Sequence, residues 1–177
     1  MTIPATSVTT QVYRVYIKAT PQAVWDAITQ PEWTERYGYC VRSAYDLRPG
    51  GAYQGFANEG MLAMGAPEVV ADGEVIEADP PRRLVQTWRL LMDPTTAAEG
   101  FTRLTHEIRE TAPGLSRLTV THELEGAPTL SLMVSGVMED EAASQGQGAG
   151  GGWNWILSGL KTVLETGTPM QTFGPAA

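Results

Sequence analysis

The sequence is poor in the residues on which several classes of protein depend. Its 177 residues include one cysteine, Cys40, so an internal disulfide is excluded, in agreement with a reducing cytoplasm. Lysine occurs only at Lys18 and Lys161, no basic cluster is present, and the formal net charge of -8 argues against a nucleic-acid partner. No run approaches the roughly 20 apolar residues of a membrane span, and the amino terminus lacks a charged region followed by an apolar one. We therefore expect a soluble, cytoplasmic protein that binds neither nucleic acid nor membrane.

The chain also lacks the patterns of metal and nucleotide sites. It contains two histidines, and no third ligand stands at a recognisable spacing from them. The glycine-rich stretch Gly146 to Gly152 has neither the Lys nor the Ser/Thr of a phosphate-binding loop. We expect no metal and no other cofactor, and a loose hinge is the simplest role for these glycines.

What is present is a β-rich sequence that ends in one long amphipathic helix, residues 151–170. Its apolar residues recur at helical spacing: Trp153, Ile156, Leu157, Leu160, Val163 and Leu164. Gly167 and Pro169 predict its end. Near the amino terminus, Thr20 before Pro21 predicts the start of a first short helix, and Pro31 opens a second that closes at Gly38.

The remaining segments predict antiparallel strands separated by turns. They are residues 10–17, 41–47, 53–58, 69–78, 83–91, 101–110 and 116–123. Residues 59–67 and 93–100 are predicted loops, the first lying over a pocket, and residues 130–138 are a predicted short helix. The order favours an α+β helix-grip fold, in which a curved sheet of six to seven strands wraps the terminal helix and leaves a cavity between them. We expect a single domain over residues 8–170 with flexible tails at 1–7 and 171–177.

Both histidines alternate with apolar residues in two consecutive strands, so both are expected to face inward. In an antiparallel pair, His106 and His122 are direct or diagonal neighbours, with Cβ atoms roughly 5 to 8 Å apart. Two inward imidazoles could act as an acid–base pair on a bound carbonyl compound. Alternatively, they line the pocket and are satisfied by hydroxyls and water.

Aromatic and methionine side chains are the other candidates for a ligand site. Trp88 and Trp153 are the best candidates for pocket walls, while Met61, Met64, Met133 and Met138 could form an adaptable lid or fill gaps in the core. The complete set of predicted ligand-binding residues is Trp33, Tyr37, Tyr53, Phe56, Met64, Trp88, His106, His122, Met133, Trp153 and Leu157.

Four separated segments carry a resemblance to a known family. PQAVWDAITQPEWTERY, RPGG, DGEVIEADPPRRLVQTWR and GGWNWILSGLKTVLETG resemble, in order, the START-like (SRPBCC) superfamily in its branch of homologues of the activator of heat-shock-protein ATPase. The resemblance spans residues 12–170 and implies the helix-grip fold. Members include ligand carriers, polyketide cyclases or aromatases, co-chaperones and self-resistance proteins, and the family has no universal catalytic residues.

The resulting hypothesis is a protein that binds a small hydrophobic or polycyclic molecule in the cavity. One alternative is a cyclase or aromatase that uses His106 and His122. Another is a self-resistance protein that sequesters a reactive antibiotic such as an enediyne, or is consumed by it at accessible glycines. Co-chaperone action is disfavoured because no added partner-binding module is apparent, and homodimerisation through an exposed sheet edge or through the loop Glu59 to Pro67 is left open.

Overall fold

The computed structural model describes residues 9–137 and 151–170, which form a curved antiparallel sheet and six helices. The strands are β1 Thr10–Ile17, β2 Arg42–Tyr45, β3 Ala52–Phe56, β4 Val69–Asp79, β5 Arg83–Leu90, β6 Thr102–Ala112 and β7 Leu115–Glu123. The helices are α1 Pro21–Thr29, α2 Pro31–Thr34, α3 Glu59–Ala63, α4 Pro94–Glu99, α5 Pro128–Ser135 and α6 Gly152–Thr166. This is the α+β helix-grip fold that the sequence predicts.

The seven strands form one sheet in the order β1-β7-β6-β5-β4-β3-β2. All neighbouring strands are antiparallel, and β1 is the edge strand beside β7. The register shifts at Gly55/Phe56, where β3 pairs with β4, and at Val75/Glu77, where β4 pairs with β5. Because an extra residue bends a strand, these irregularities curve the sheet around its concave face.

Helix α6 covers the concave face and supplies much of the core. Trp153, Leu157, Leu160 and Val163 are buried on one side of it, and each buried side chain of this size stabilises the fold by about 1.5 to 3 kcal/mol. On the outer side, Lys161 Nζ donates to the backbone oxygen of Tyr16 at 2.7 Å, which ties the helix to β1. The predicted amphipathic helix is confirmed, and it ends at Thr166, directly before Gly167 as predicted.

Two segments predicted as loops contain short helices. Asn58 caps α3 by accepting from the Met61 amide at 2.9 Å, and Asp93 caps α4 by accepting from the Thr95 amide at 2.7 Å. Helices of one or two turns are too short to show a repeating apolar pattern, so only their capping residues signalled them. The second predicted helix is also shorter than expected and ends at Thr34.

Some predictions concern residues outside the described part of the chain. They are the predictions for Met138, for Gly146, Gly148 and Gly150, and for the tails at 1–7 and 171–177. The single-domain boundaries stay a prediction, as does dimerisation through an edge strand, either β1 or β2. Among the helices in residues 9–137 and 151–170, none combines the length and apolar character that crossing a membrane requires.

Candidate ligand-binding cavity

A cavity of about 1510 Å³ lies between the concave face of the sheet and α6. The sheet contributes Val70, Leu104 and Leu118, and the helix contributes Leu157 and Leu160. Sites for drug-sized ligands commonly measure about 300 to 1,000 Å³, so this space is large enough for several fused rings.

The outer part of the cavity is bordered by short elements rather than by the sheet. It includes α3 with Met61 and Leu62, α5 with Met133, and residues 35–41 between α2 and β2. Met64 also lies here, with 80% of its surface exposed. An exposed methionine beside a cavity agrees with the predicted adaptable lid, and that role stays a prediction.

Most of the predicted ligand-binding residues line this one cavity. They are Tyr37, Tyr53, Phe56, Met64, Trp88, His106, Met133, Trp153 and Leu157. Trp33 and His122 do not line it. Trp33 packs against the core, with the Arg36 guanidinium 4.9 Å from its ring centre. A helix of four residues is too short for its sequence pattern to show whether the Trp33 side chain faces the cavity.

His122 lies behind the cavity wall, with no exposed surface and both ring nitrogens hydrogen-bonded. Trp153 Nε1–H donates to His122 Nδ1 at 3.2 Å, and His122 Nε2 lies 2.8 Å from Thr102 Oγ1. Thr102 uses its own hydrogen to donate to the Trp88 carbonyl at 2.8 Å. Its oxygen must therefore accept from His122, which fixes the neutral tautomer with the proton on Nε2.

The same imidazole packs edge-on against two tryptophans of the cavity wall. Its ring centre lies 5.7 Å from that of Trp88 and 6.0 Å from that of Trp153, at angles of 84° and 80°. Desolvation by burial, with a further contribution from the nearby His106, lowers the pKa of His122 to about 3. If Nδ1 were protonated, its N–H would face the indole N–H of Trp153, and the two donors would repel each other. His122 is therefore a neutral residue that positions Trp88 and Trp153.

His106 has a different environment from His122, although the two are diagonal neighbours as predicted. His106 pairs with Val120 and His122 with Leu104 across β6 and β7. The His106 ring lies edge-on to Trp153 at 6.1 Å and 74°, and its buried Nδ1 has no hydrogen-bond partner. Burial lowers the pKa of His106 to about 4, so its imidazole is neutral near pH 7.

Several polar residues of the cavity were not predicted from the sequence, among them Gln86 and Tyr45. Gln86 is fully buried, its Oε1 accepts from the Tyr45 hydroxyl at 3.0 Å, and its Nε2 has no partner. Both residues line the cavity. The sequence signal for Gln86 is its position between Leu84 and Trp88 on an inward strand face, where a polar residue breaks the apolar pattern.

The inner part of the cavity carries neutral polar groups. Burial raises the pKa of Tyr37, of Tyr45 and of Tyr53, and further interactions among these tyrosines contribute for Tyr37 and Tyr45, so all three hydroxyls are neutral near pH 7. Tyr37 donates to the Ala27 carbonyl at 2.9 Å. In residues 9–137 and 151–170, no three His, Cys, Asp or Glu side chains are grouped as metal ligands. The arrangement suits recognition of an uncharged, largely apolar molecule.

A curved antiparallel sheet wrapped on a terminal helix around a cavity defines the START-like helix-grip class. Within that class, the chain belongs to the family described as "Activator of Hsp90 ATPase homolog 1-like protein", whose model matches residues 18–165. No match was found among curated proteins.

Solved structures with the same fold include three from different sources. Protein MLL2253 from Mesorhizobium loti is 20% identical, with a TM-score of 0.60 over 88% of this chain and 96% of that one. CalU16 from Micromonospora echinospora, solved by NMR, is 22% identical, with a TM-score of 0.59 over 99% of this chain and 81% of that one. DynU16, described as a protein in the dynemicin biosynthetic locus, is 19% identical, with a TM-score of 0.59 over 93% of this chain and 50% of that one. At these identities, the likeness establishes the fold.

Proposed function

We propose that this protein binds a small hydrophobic or polycyclic molecule in the cavity between the sheet and α6. The observation that carries the proposal is the cavity itself, about 1510 Å³ in volume and walled by aliphatic and aromatic side chains. Burying the apolar surface of a ligand there is favourable by roughly 25 cal/mol per Å². The fused rings of such a ligand would lie against Trp88 and Trp153, which His122 holds in place.

The hydrogen bonds of His122 favour binding over cyclase or aromatase chemistry. An acid–base pair requires two groups that reach the ligand and exchange protons near neutral pH. His122 does not line the cavity, and both of its nitrogens are engaged by Trp153 and Thr102. Its depressed pKa further opposes protonation. A positioning role for His122 therefore accounts for its contacts without turnover.

Narrowing the cavity tests the binding proposal. Ala57 lines the cavity, whereas Ala52 lies exposed at the start of β3. We expect Ala57→Trp to weaken the binding of anthracene at least about fivefold, since bulk added to the wall removes space from the ligand. Ala52→Trp is the matched control and should bind like the parent chain. Binding is measured from the anthracene emission. Equal affinities for both variants would contradict the cavity as the binding site.

A second candidate function is self-resistance, in which the protein sequesters or quenches a reactive antibiotic such as an enediyne. The observation that favours it is that Gly152, whose Cα carries no side chain, forms part of the cavity wall. A bound diradical can take a hydrogen atom from such a Cα, leaving a backbone radical that dioxygen attacks. Mass spectrometry after exposure to a thiol-activated enediyne should then show cleavage at Gly152. Gly167, outside the cavity wall, is the internal control. Cleavage spread equally over both glycines would contradict this function.

A further inference from the structure

Two buried polar groups in the cavity have no hydrogen-bond partner in the described part of the chain. They are Gln86 Nε2 and His106 Nδ1. The Gln86 side chain is fully buried and His106 is 6% exposed, and both line the cavity. Leaving a buried donor or acceptor unpaired destabilises a fold, so two such groups at one site call for an explanation.

The strand register brings these two groups together. Leu84 pairs with His106, and Gln86 pairs with Leu104. Gln86 and His106 are therefore diagonal neighbours on the concave face, with Cβ atoms roughly 6 to 8 Å apart. The spacing is comparable to the width of a fused-ring molecule, so one ligand can bond to both groups once the side chains that cover the two buried atoms turn aside.

The contacts around each group decide what it can offer. Tyr45 donates to Gln86 Oε1, which leaves the amide hydrogens on Nε2 to donate to a ligand. Neutral His106 carries one ring N–H donor and one acceptor nitrogen. Together they can meet oxygen atoms on an uncharged ligand, such as ring carbonyls or phenolic hydroxyls.

We propose that Gln86 and His106 form a two-point polar recognition element that selects oxygenated polycyclic ligands over plain hydrocarbons. The inference rests on the proposed binding function and names the class of ligand: fused-ring ketones, quinones and phenols. Gln86 donates to one ligand oxygen, and His106 hydrogen-bonds to another. Trp88 and Trp153 contact the apolar ring surface.

The test compares two probes with the same three-ring skeleton, anthraquinone and anthracene. The measured quantity is the ratio of the anthracene Kd to the anthraquinone Kd in the whole protein. We expect His106→Phe and Gln86→Met each to lower this ratio about fivefold, the effect of one lost hydrogen bond. The ratio isolates the hydrogen bond, because a change in the apolar walls affects both probes alike. Ile108→Met, an apolar change on the same face of β6 but outside the cavity wall, is the matched control and should leave the ratio unchanged.

Nitrogen-15 spectra of the parent protein provide a readout that needs no substitution. Anthraquinone should shift the His106 imidazole signals, and anthracene should shift them much less. His122 should respond less than His106, because its nitrogens are already bonded and it does not line the cavity. An unchanged ratio in both variants, with anthracene still bound, would overturn this inference and leave the proposed binding function standing. Failure of both probes to bind the parent chain would overturn the proposed function and the inference with it.

Discussion

At the scale of single residues, two histidines with the same sequence pattern have different roles. Each follows a threonine and alternates with apolar neighbours, so the sequence indicated that both face inward. The distance between the two imidazole rings depends on the register of β6 against β7. The hydrogen bond from Trp153 to His122 joins residues 31 positions apart, and no local pattern reports it. The sequence thus predicted that both histidine side chains face inward, but it did not predict their hydrogen-bond partners.

Removing the His122 ring should destabilise the fold. His122→Leu leaves the Trp153 indole N–H without its acceptor and removes the hydrogen bond that the Thr102 oxygen accepts, and we expect a loss of about 2 to 4 kcal/mol in the free energy of unfolding. Urea denaturation measures the loss. Thr121→Val, a polar-to-apolar change in the adjacent, half-buried residue, is the control and should cost less than about 0.5 kcal/mol. Comparable losses for both variants would contradict the positioning role of His122.

The two buried histidines also predict how stability depends on pH. Burial lowers their folded-state pKa values from 6.5 to about 4 for His106 and about 3 for His122. Below pH 6.5 the unfolded chain therefore binds protons that the folded chain does not, so stability present above pH 6.5 is lost as pH falls. By pH 5 the loss should be roughly 2 kcal/mol per histidine.

Denaturation curves at pH 7.5 and pH 5 measure this dependence. His106→Phe removes one of the two titrating groups, so its stability should fall about half as much over the same interval as that of the parent chain. A free energy of unfolding that is flat between these pH values would show that the histidines are not held neutral.

At the scale of elements, the ends of α6 are set by two glycines in the left-handed region. Gly152 has φ +55° and Gly167 has φ +76°. A Cβ on Gly152 would collide with the carbonyl oxygen of Val134, whereas one on Gly167 would meet open space. The close approach of α5 to the start of α6 therefore depends on Gly152. The sequence indicated a glycine hinge but not this contact.

Alanine at these two glycines separates the backbone cost from the packing cost. Gly167→Ala should destabilise the fold by about 1 to 2 kcal/mol, the penalty of the left-handed conformation alone. Gly152→Ala adds the collision with Val134 and should cost at least about 2 kcal/mol more. Thermal denaturation of both variants gives the difference. Equal costs would show that α5 moves away from α6 without penalty.

Long elements were predictable and short ones were not. The period of α6 and the alternation in β6 and β7 each repeat several times, so their patterns stand out from the sequence. Helices α3 and α4 complete too few turns to repeat, and their capping residues Asn58 and Asp93 are common in loops as well. Because α3 borders the cavity, its entrance was the least predictable part of the candidate site.

At the scale of the whole molecule, the acidic surface and the neutral interior have separate roles. The net charge of -8 favours solubility and disfavours anionic polymers. Inside, the tyrosine hydroxyls and His106 are held neutral by burial. The inner part of the cavity should therefore prefer uncharged groups, whereas Arg36 and Arg42 line its outer part. Adding a carboxylate to anthraquinone is expected to weaken binding at least about tenfold, since a charge buried in the inner part lacks the cationic partners that the outer part offers. Equal affinity for the acid and its parent would contradict this preference.

The most direct test of the account follows the five tryptophan indole N–H signals of the whole protein during titration with anthraquinone. Trp88 and Trp153 line the cavity, whereas Trp25, Trp33 and Trp155 do not. Single Trp→Phe variants assign the signals. If the cavity binds the ligand, the signals of Trp88 and Trp153 shift saturably and the other three stay in place. Shifts confined to Trp33 or Trp155, or no shift at any tryptophan, would contradict ligand binding between the sheet and α6.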